Sequence, residues 1–147
     1  MREILFRGKS IKDNEWYEGS LCETKINYPS GETKVNYIIS VAEINVGKDE
    51  LDFVSTCGYD EFVSPETVGQ YTGLTAHGKK IFEGDILKFS YTGQNHGVEG
   101  VAVVEFENGK FGVKWGWHKE FIPLDGFANT TIEVIGNIHD NPELLGG

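Results

Sequence analysis

The dipeptide Asn108-Gly109 constrains this chain more than any other feature. Both residue types tolerate the positive φ angles that a two-residue type I′ turn demands, and alternating segments flank them on either side. Val101-Ala102-Val103-Val104-Glu105-Phe106, the most β-prone stretch, precedes the turn. After it, Phe111, Val113, Trp115 and Trp117 fall on one face of a strand, with Gly112, Lys114 and Gly116 on the other. One face is bulky and the opposite face nearly bare.

The same period recurs along the chain. Glu3–Arg7 sets Ile4 and Phe6 against Leu5, and Trp16–Leu21 alternates again, so the two form a hairpin with a long polar connection. The middle third offers only two short apolar runs, Val35–Ile39 and Leu51–Val54. Ser64-Pro65-Glu66-Thr67-Val68-Gly69 has the order of one helical turn: a Ser able to cap, Pro at the first position, an acid in the first turn, Gly at the end. His77-Gly78-Lys79-Lys80 makes the next turn, and the strand beyond Asp85 places Leu87, Phe89 and Tyr91 on one face. Tyr91–Gly97 reads as a flexible loop tip. Thr131–Ile138 alternates Ile132, Val134 and Ile138 against Glu133, Ile135 and Asn137, and the tail after Pro142 either forms a turn that docks Leu144 or Leu145 or is a mobile end.

With 19 Gly and 4 Pro and no amphipathic stretch of helical length, the expected class is mainly β with at most short helical turns. The second half suits a small SH3-like barrel, joined to an additional N-terminal β-rich portion; an irregular sandwich is the rival. One domain over residues 1–147 accounts for the length, with a possible subdivision at 1–63 and 64–147.

A formal net charge of −10 opposes the phosphate backbone, and no Lys/Arg cluster offsets it locally, so direct nucleic-acid binding is disfavoured. No apolar run of about 20 residues exists, and the opening Met1–Arg7 lacks a leader pattern, which places the chain in the cytoplasm without a membrane span. There Cys22 and Cys57, which share no CxxC motif, are expected to stay reduced, Cys22 as a buried inert thiol beside Leu21.

Three segments together look familiar: Ser64–Leu74, Gly78–Ile86 and Glu133–Leu145. In order and spacing, with the opening Arg2–Arg7 and the hairpin Val104–Gly109, they resemble the YopX family of phage and prophage proteins. The resemblance implies a β-dominated fold with SH3-barrel-like character in its second half, and phage or prophage origin. It carries no mechanism.

Chemistry finds little purchase. His77, His96, His118 and His139 fall in polar turn-like contexts with no spacing that presents two ligands at once, so no metal is expected. Asp85 and Glu105 with Lys110 distantly suggest a metal-dependent nuclease, but the acid-x-Lys spacing is absent, and Glu83-Gly84-Asp85 reads more simply as a strand-entry turn in which Asp85 caps backbone N–H groups. No phosphate-binding glycine loop occurs; Gly112 and Gly116 are placed to admit a close backbone or ring. No catalytic residue and no cofactor follows.

The aromatic set remains. Tyr91, Phe111, Trp115 and Trp117 either fill the interior or form a contact surface, with Trp117 and His118 the most exposed; Trp117, His118, Trp115 and Tyr91 are the candidate partner contacts. The expected function is that of a non-enzymatic accessory protein acting through protein–protein contacts with itself and an unidentified host or phage protein. The alternative is a nucleic-acid-binding or DNA-mimicking regulator.

Overall fold

The computed structural model describes residues 2–46, 53–93, 96–127 and 130–146. Among the described residues the chain is mainly β, with two antiparallel sheets that are not closed and no helix of seven residues or more. It divides into two compact units, Ile4–Val68 and Gly69–Gly147 with Met1–Glu3.

In the first unit β1 (Phe6–Lys9), β2 (Trp16–Asn27), β3 (Thr33–Val46) and β4 (Phe53–Val63) lie in the order β4-β3-β2-β1. The β1–β2 hairpin forms, but its first strand lies at Phe6–Lys9 rather than Glu3–Arg7: Gly8 and Lys9 pair with Tyr17 and Trp16 instead of turning, so the connection starts at Ser10. Buried Ser10 organises that connection: its Oγ accepts the Lys12 N–H at 3.1 Å and donates to Glu61 Oε2 at 3.1 Å. β3 and β4 run far beyond the short apolar runs in their sequence. Their length is set by cross-strand pairing, from Tyr37 opposite Val63 through Val41 opposite Tyr59. Leu51 and Asp52 lie outside the described residues.

The turn at Ser64 is a 3₁₀ turn, Pro65–Thr67, but the Ser64 side chain makes no cap. Thr67 takes over, donating from Oγ1 to the Ser64 carbonyl at 2.6 Å and accepting the Lys9 N–H at 2.9 Å.

The second unit starts with β5 (Gly69–Ala76) and β6 (Lys79–Phe82), joined through His77 and Gly78 at φ 50° and 76°. β7 (Asp85–Gly93), β8 (His96–Glu107), β9 (Lys110–Trp115), β10 (Glu120–Pro123) and β11 (Thr130–Asn137) then form an open sheet in the order β10-β9-β8-β7-β11. Asn108 and Gly109 have φ 51° and 77°, as a type I′ turn requires. The closed SH3-like barrel is therefore not confirmed: β10 and β11 stand at opposite edges, and a 3₁₀ turn at Leu124–Phe127 folds Leu124 and Phe127 inward. Tyr91–Gly97 is also not a loop over most of its length. The β7–β8 ladder continues through Tyr91 opposite Val98 to Gly93 opposite His96, and Gln94 and Asn95 lie outside the described residues.

The core of this unit gathers Ile81, Leu87, Phe89, Ala102, Val104, Val113, Leu124 and Phe127, with Phe111, Trp115, Ile122, Ile132 and Val134 packed against it. Phe89 meets Trp115 edge-on at 5.4 Å and Phe127 at 5.0 Å. Gly100 makes room for this: a Cβ there would collide with the Phe89 ring and lie 2.6 Å from Trp115 Nε1. At the C-terminus, a 3₁₀ turn over Pro142–Leu145 seats Leu144 over Gly136, where a Cβ would fall 2.9 Å from Leu144 Cδ1.

Gly100→Ala is expected to cost roughly 1–3 kcal/mol, the usual penalty for overpacking. For a chain of this size that lowers the melting temperature by about 2–4 °C per kcal/mol, with loss of near-ultraviolet circular dichroism from the displaced rings.

In the first unit, the Tyr17 hydroxyl donates to Asp13 Oδ2 at 2.6 Å and the Glu15 N–H to Oδ1 at 2.9 Å. These bonds, the Tyr17 one foremost, hold the Asp13 carboxyl below its ordinary pKa. A depressed carboxyl contributes stability above its unfolded pKa, about 3.9, and loses it as pH falls through the folded value. Asp13→Asn should flatten the acid limb of a melting-temperature-against-pH curve and leave the alkaline limb unchanged.

Candidate functional site

β9 carries the expected alternation as far as Trp115 and then stops. Gly116 adopts φ +89° and Lys119 φ +53°, and the Lys119 N–H donates to the Gly116 carbonyl at 3.2 Å. The chain reverses there and returns as β10, with Glu120 opposite Trp115. The two tryptophans part company as a result. Trp115 turns into the core against Phe89, half-buried, while Trp117 rides on the tip of the turn at 95% exposure, beside exposed His118 and Lys119. Of the four candidate contacts the tip brings together Trp117 and His118. Tyr91 lies on β7 opposite Val98 and Thr130, and its side chain is outside the described residues.

The far face of β9 is covered at Gly112, where a Cβ would fall 2.5 Å from the Ile122 carbonyl oxygen and 2.6 Å from the Phe121 ring. β10 thus lies close against β9 and steadies the tip from behind.

At the other end of β9 is a feature the sequence did not disclose. Phe106 and Phe111, opposite each other next to the Asn108-Gly109 turn, stack at 4.9 Å, and Phe106 is 54% exposed. Phe111 opens onto a groove of about 280 Å³ lined also by Thr72, Leu74, Pro123 and Leu124, with Lys110 and Asp125 among its lining. Leu74 reaches it from an irregular stretch of β5 where Gly73 takes φ +87° and the β5–β6 register shifts between Tyr71 and Thr75. Gly73 inside an alternating segment was the one available signal of such a bulge.

The acid cluster does not form a cation site. Asp85 shares the side of β7 that carries Leu87 and Phe89, whereas Glu105 is out of phase with Ala102 and Val104 on β8, so the two carboxylates belong to opposite faces. Asp85 is 2% exposed and its Oδ2 accepts the Phe82 N–H at 2.7 Å, the turn-capping role its position suggested. On the other face Glu107 Oε2 bonds Lys114 Nζ at 3.0 Å; this bond, then the charges of Glu107 and Glu105, raise the Lys114 pKa. Among the described residues no three His, Cys, Asp or Glu side chains are arranged to hold a metal. The side chains of His96 and Cys57 lie outside the described residues. Cys22 corrects an expectation: it is an exposed free thiol, because β2 buries little on either side.

Residues 5–146 match the family model described as YopX protein. The chain belongs to the YopX protein family. It is also similar to the crystal structure of protein EF1440 from Enterococcus faecalis, at 23% identity and a TM-score of 0.54 over 99% of each chain, a likeness of fold. No curated protein matches it. The YopX match runs through both units, so the tip and the groove lie within it. Among the described residues no helix is long and apolar enough to cross a membrane.

The two indoles have opposite structural roles, and substitution separates them. Trp115→Ala should lose about 3–5 kcal/mol, the usual cost of removing a large packed aromatic, while Trp117→Ala should leave the melting temperature within a few degrees. Fluorescence should agree: in Trp115→Phe the emission shifts to longer wavelength, as the contribution packed in the core disappears while those of exposed Trp117 and half-buried Trp16 remain.

Proposed function

We propose that this YopX protein is a non-enzymatic protein–protein interaction module of phage or prophage origin, working in the host cytoplasm and associating with copies of itself through the β9–β10 tip. One observation carries the reading: Trp117, a large apolar side chain, is 95% exposed at the apex of a turn whose stability does not need it. A Trp side chain removes on the order of 150–250 Å² of surface from water on burial, at about 25 cal/mol per Å². The gain is several kcal/mol before ordering costs. The Lys119-to-Gly116 hydrogen bond and the close approach of β10 hold the tip in place beforehand, which keeps those costs low.

The strand path supports the same reading. A meander β7-β8-β9-β10, a 3₁₀ turn and a last strand returning beside β7 make an open antiparallel sheet whose connecting turns are available for contacts. Such scaffolds present their contacts on the loops between strands. Of the alternative, direct nucleic-acid binding has the net charge of −10 against it, whereas imitation of DNA toward a DNA-binding protein is compatible with that charge.

Sedimentation velocity across a range of protein concentrations tests the proposal. The wild type should rise above its 16.4 kDa monomer mass, and Trp117→Ala should remain there while melting normally. A wild type that stays monomeric throughout, or a Trp117→Ala variant that associates equally well, overturns it. Retardation of random-sequence DNA that vanishes with added salt would establish the nucleic-acid reading in its place.

A further inference from the structure

We infer that the surface receiving Trp117 is the Phe111 groove of a second copy, so that copies of this chain join head to tail. The inference rests on the reading of the tip as a self-association element and specifies its other half.

The groove suits an indole. Its floor is apolar, from Leu74, Phe111, Pro123 and Leu124, and Phe111 is held in place by Phe106 behind it. A closed apolar cavity of about 150 Å³ accepts benzene, and drug-sized ligands usually occupy about 300–1,000 Å³. A groove of about 280 Å³ falls between, at the scale of a bicyclic ring with part of its backbone. The Thr72 hydroxyl is engaged, donating to the Ile81 carbonyl at 2.9 Å and accepting the Leu74 N–H at 3.2 Å. An entering ring therefore meets a hydroxyl that is already satisfied, and Asp125 in the same lining offers an acceptor for the indole N–H.

A molecule cannot fill its own groove. Phe111 and Trp115 stand near opposite ends of the same strand, four residues and about 13 Å apart at 3.3 Å per residue, and Trp117 lies beyond Trp115. The strand is anchored on both sides, by β8 and by β10, so the distance is fixed.

The charges also match. Trp117 is followed by exposed Lys119 and Glu120, and the groove carries exposed Lys110 and Asp125. Each side presents one cation and one anion. Paired crosswise they add little affinity but select one orientation of entry. A contact between two different patches is heterologous, and it closes a ring or grows a filament according to the rotation it imposes.

The signature of such a contact is complementation. Leu74 is 45% exposed, so Leu74→Asp should spoil the groove while leaving the fold intact; Leu74→Ser serves if the charged variant melts early. With reductant present to keep Cys22 from crosslinking, Trp117→Ala and Leu74→Asp should each sediment as monomers. An equimolar mixture should form a one-to-one dimer and go no further, because its two free ends are a tip without an indole and a groove without a floor. A Leu74→Asp variant that assembles like the wild type, or a mixture that stays monomeric, overturns the groove while leaving the role of the tip intact. A Trp117→Ala variant that assembles normally, or a wild type that never assembles, removes the tip reading itself and the groove with it.

Discussion

The second unit depends on two aromatic rings sharing space that a missing side chain leaves open. Phe89 and Trp115 meet edge-on above Gly100, with Phe127 closing over Phe89 from the 3₁₀ turn. Interiors are packed to crystal density, so this arrangement has little slack. It draws together β7, β8 and β9 at one point and brings in the segment that leads to β11. It also fixes where β9 ends. Trp115 is committed to the core, so the chain must turn immediately after it, and Gly116 at φ +89° supplies the turn. The exposure of Trp117 follows from the burial of Trp115.

Polar groups that could have formed a reactive site are engaged in holding strands. Asp85 caps a backbone N–H where β7 begins, Thr67 ties the first 3₁₀ turn to β1, and Ser10 bridges its own connection to Glu61. Lys114 is bonded to Glu107 on the face away from the core. Phe111 at one end of β9 also packs against the core, whereas Trp117 at the other end is 95% exposed.

Local chemistry was legible in the sequence wherever a backbone conformation had to be specified on the spot. Asn108-Gly109 announces its hairpin because both residues take positive φ, Pro65 announces its turn by its fixed φ, and the turn read over His77–Lys80 is present but shorter, with Lys79 and Lys80 already in strand. Features set by distant partners were not legible. β3 and β4 look like short apolar runs because neither face is strongly patterned; their true length comes from a ladder across the sheet. Tyr91–Gly97 is polar and glycine-rich, yet most of it pairs as strand. The groove draws Leu74, Phe111 and Leu124 from β5, β9 and the turn after β10, so no window of sequence contains it. Trp117 was visible as a residue at a strand end, but its separation from Trp115 required knowing where the strand stopped.

Charge sets the terms on which copies of such a chain can meet. At −10 each molecule repels the next over distances comparable to the Debye length, about 8 Å at physiological ionic strength, while burial of an indole acts only at contact and is not screened. A broad face-to-face interface would press two acidic surfaces together over its whole area. A tip inserted into a groove, as proposed, would confine the contact to residues whose charges balance, Lys119 and Glu120 against Lys110 and Asp125, and would keep the bulk of the like charge apart. Added salt then weakens the repulsion and leaves the hydrophobic attraction in place, so self-association and nucleic-acid binding respond to ionic strength with opposite sign, because the second loses its counterion-release drive as salt rises.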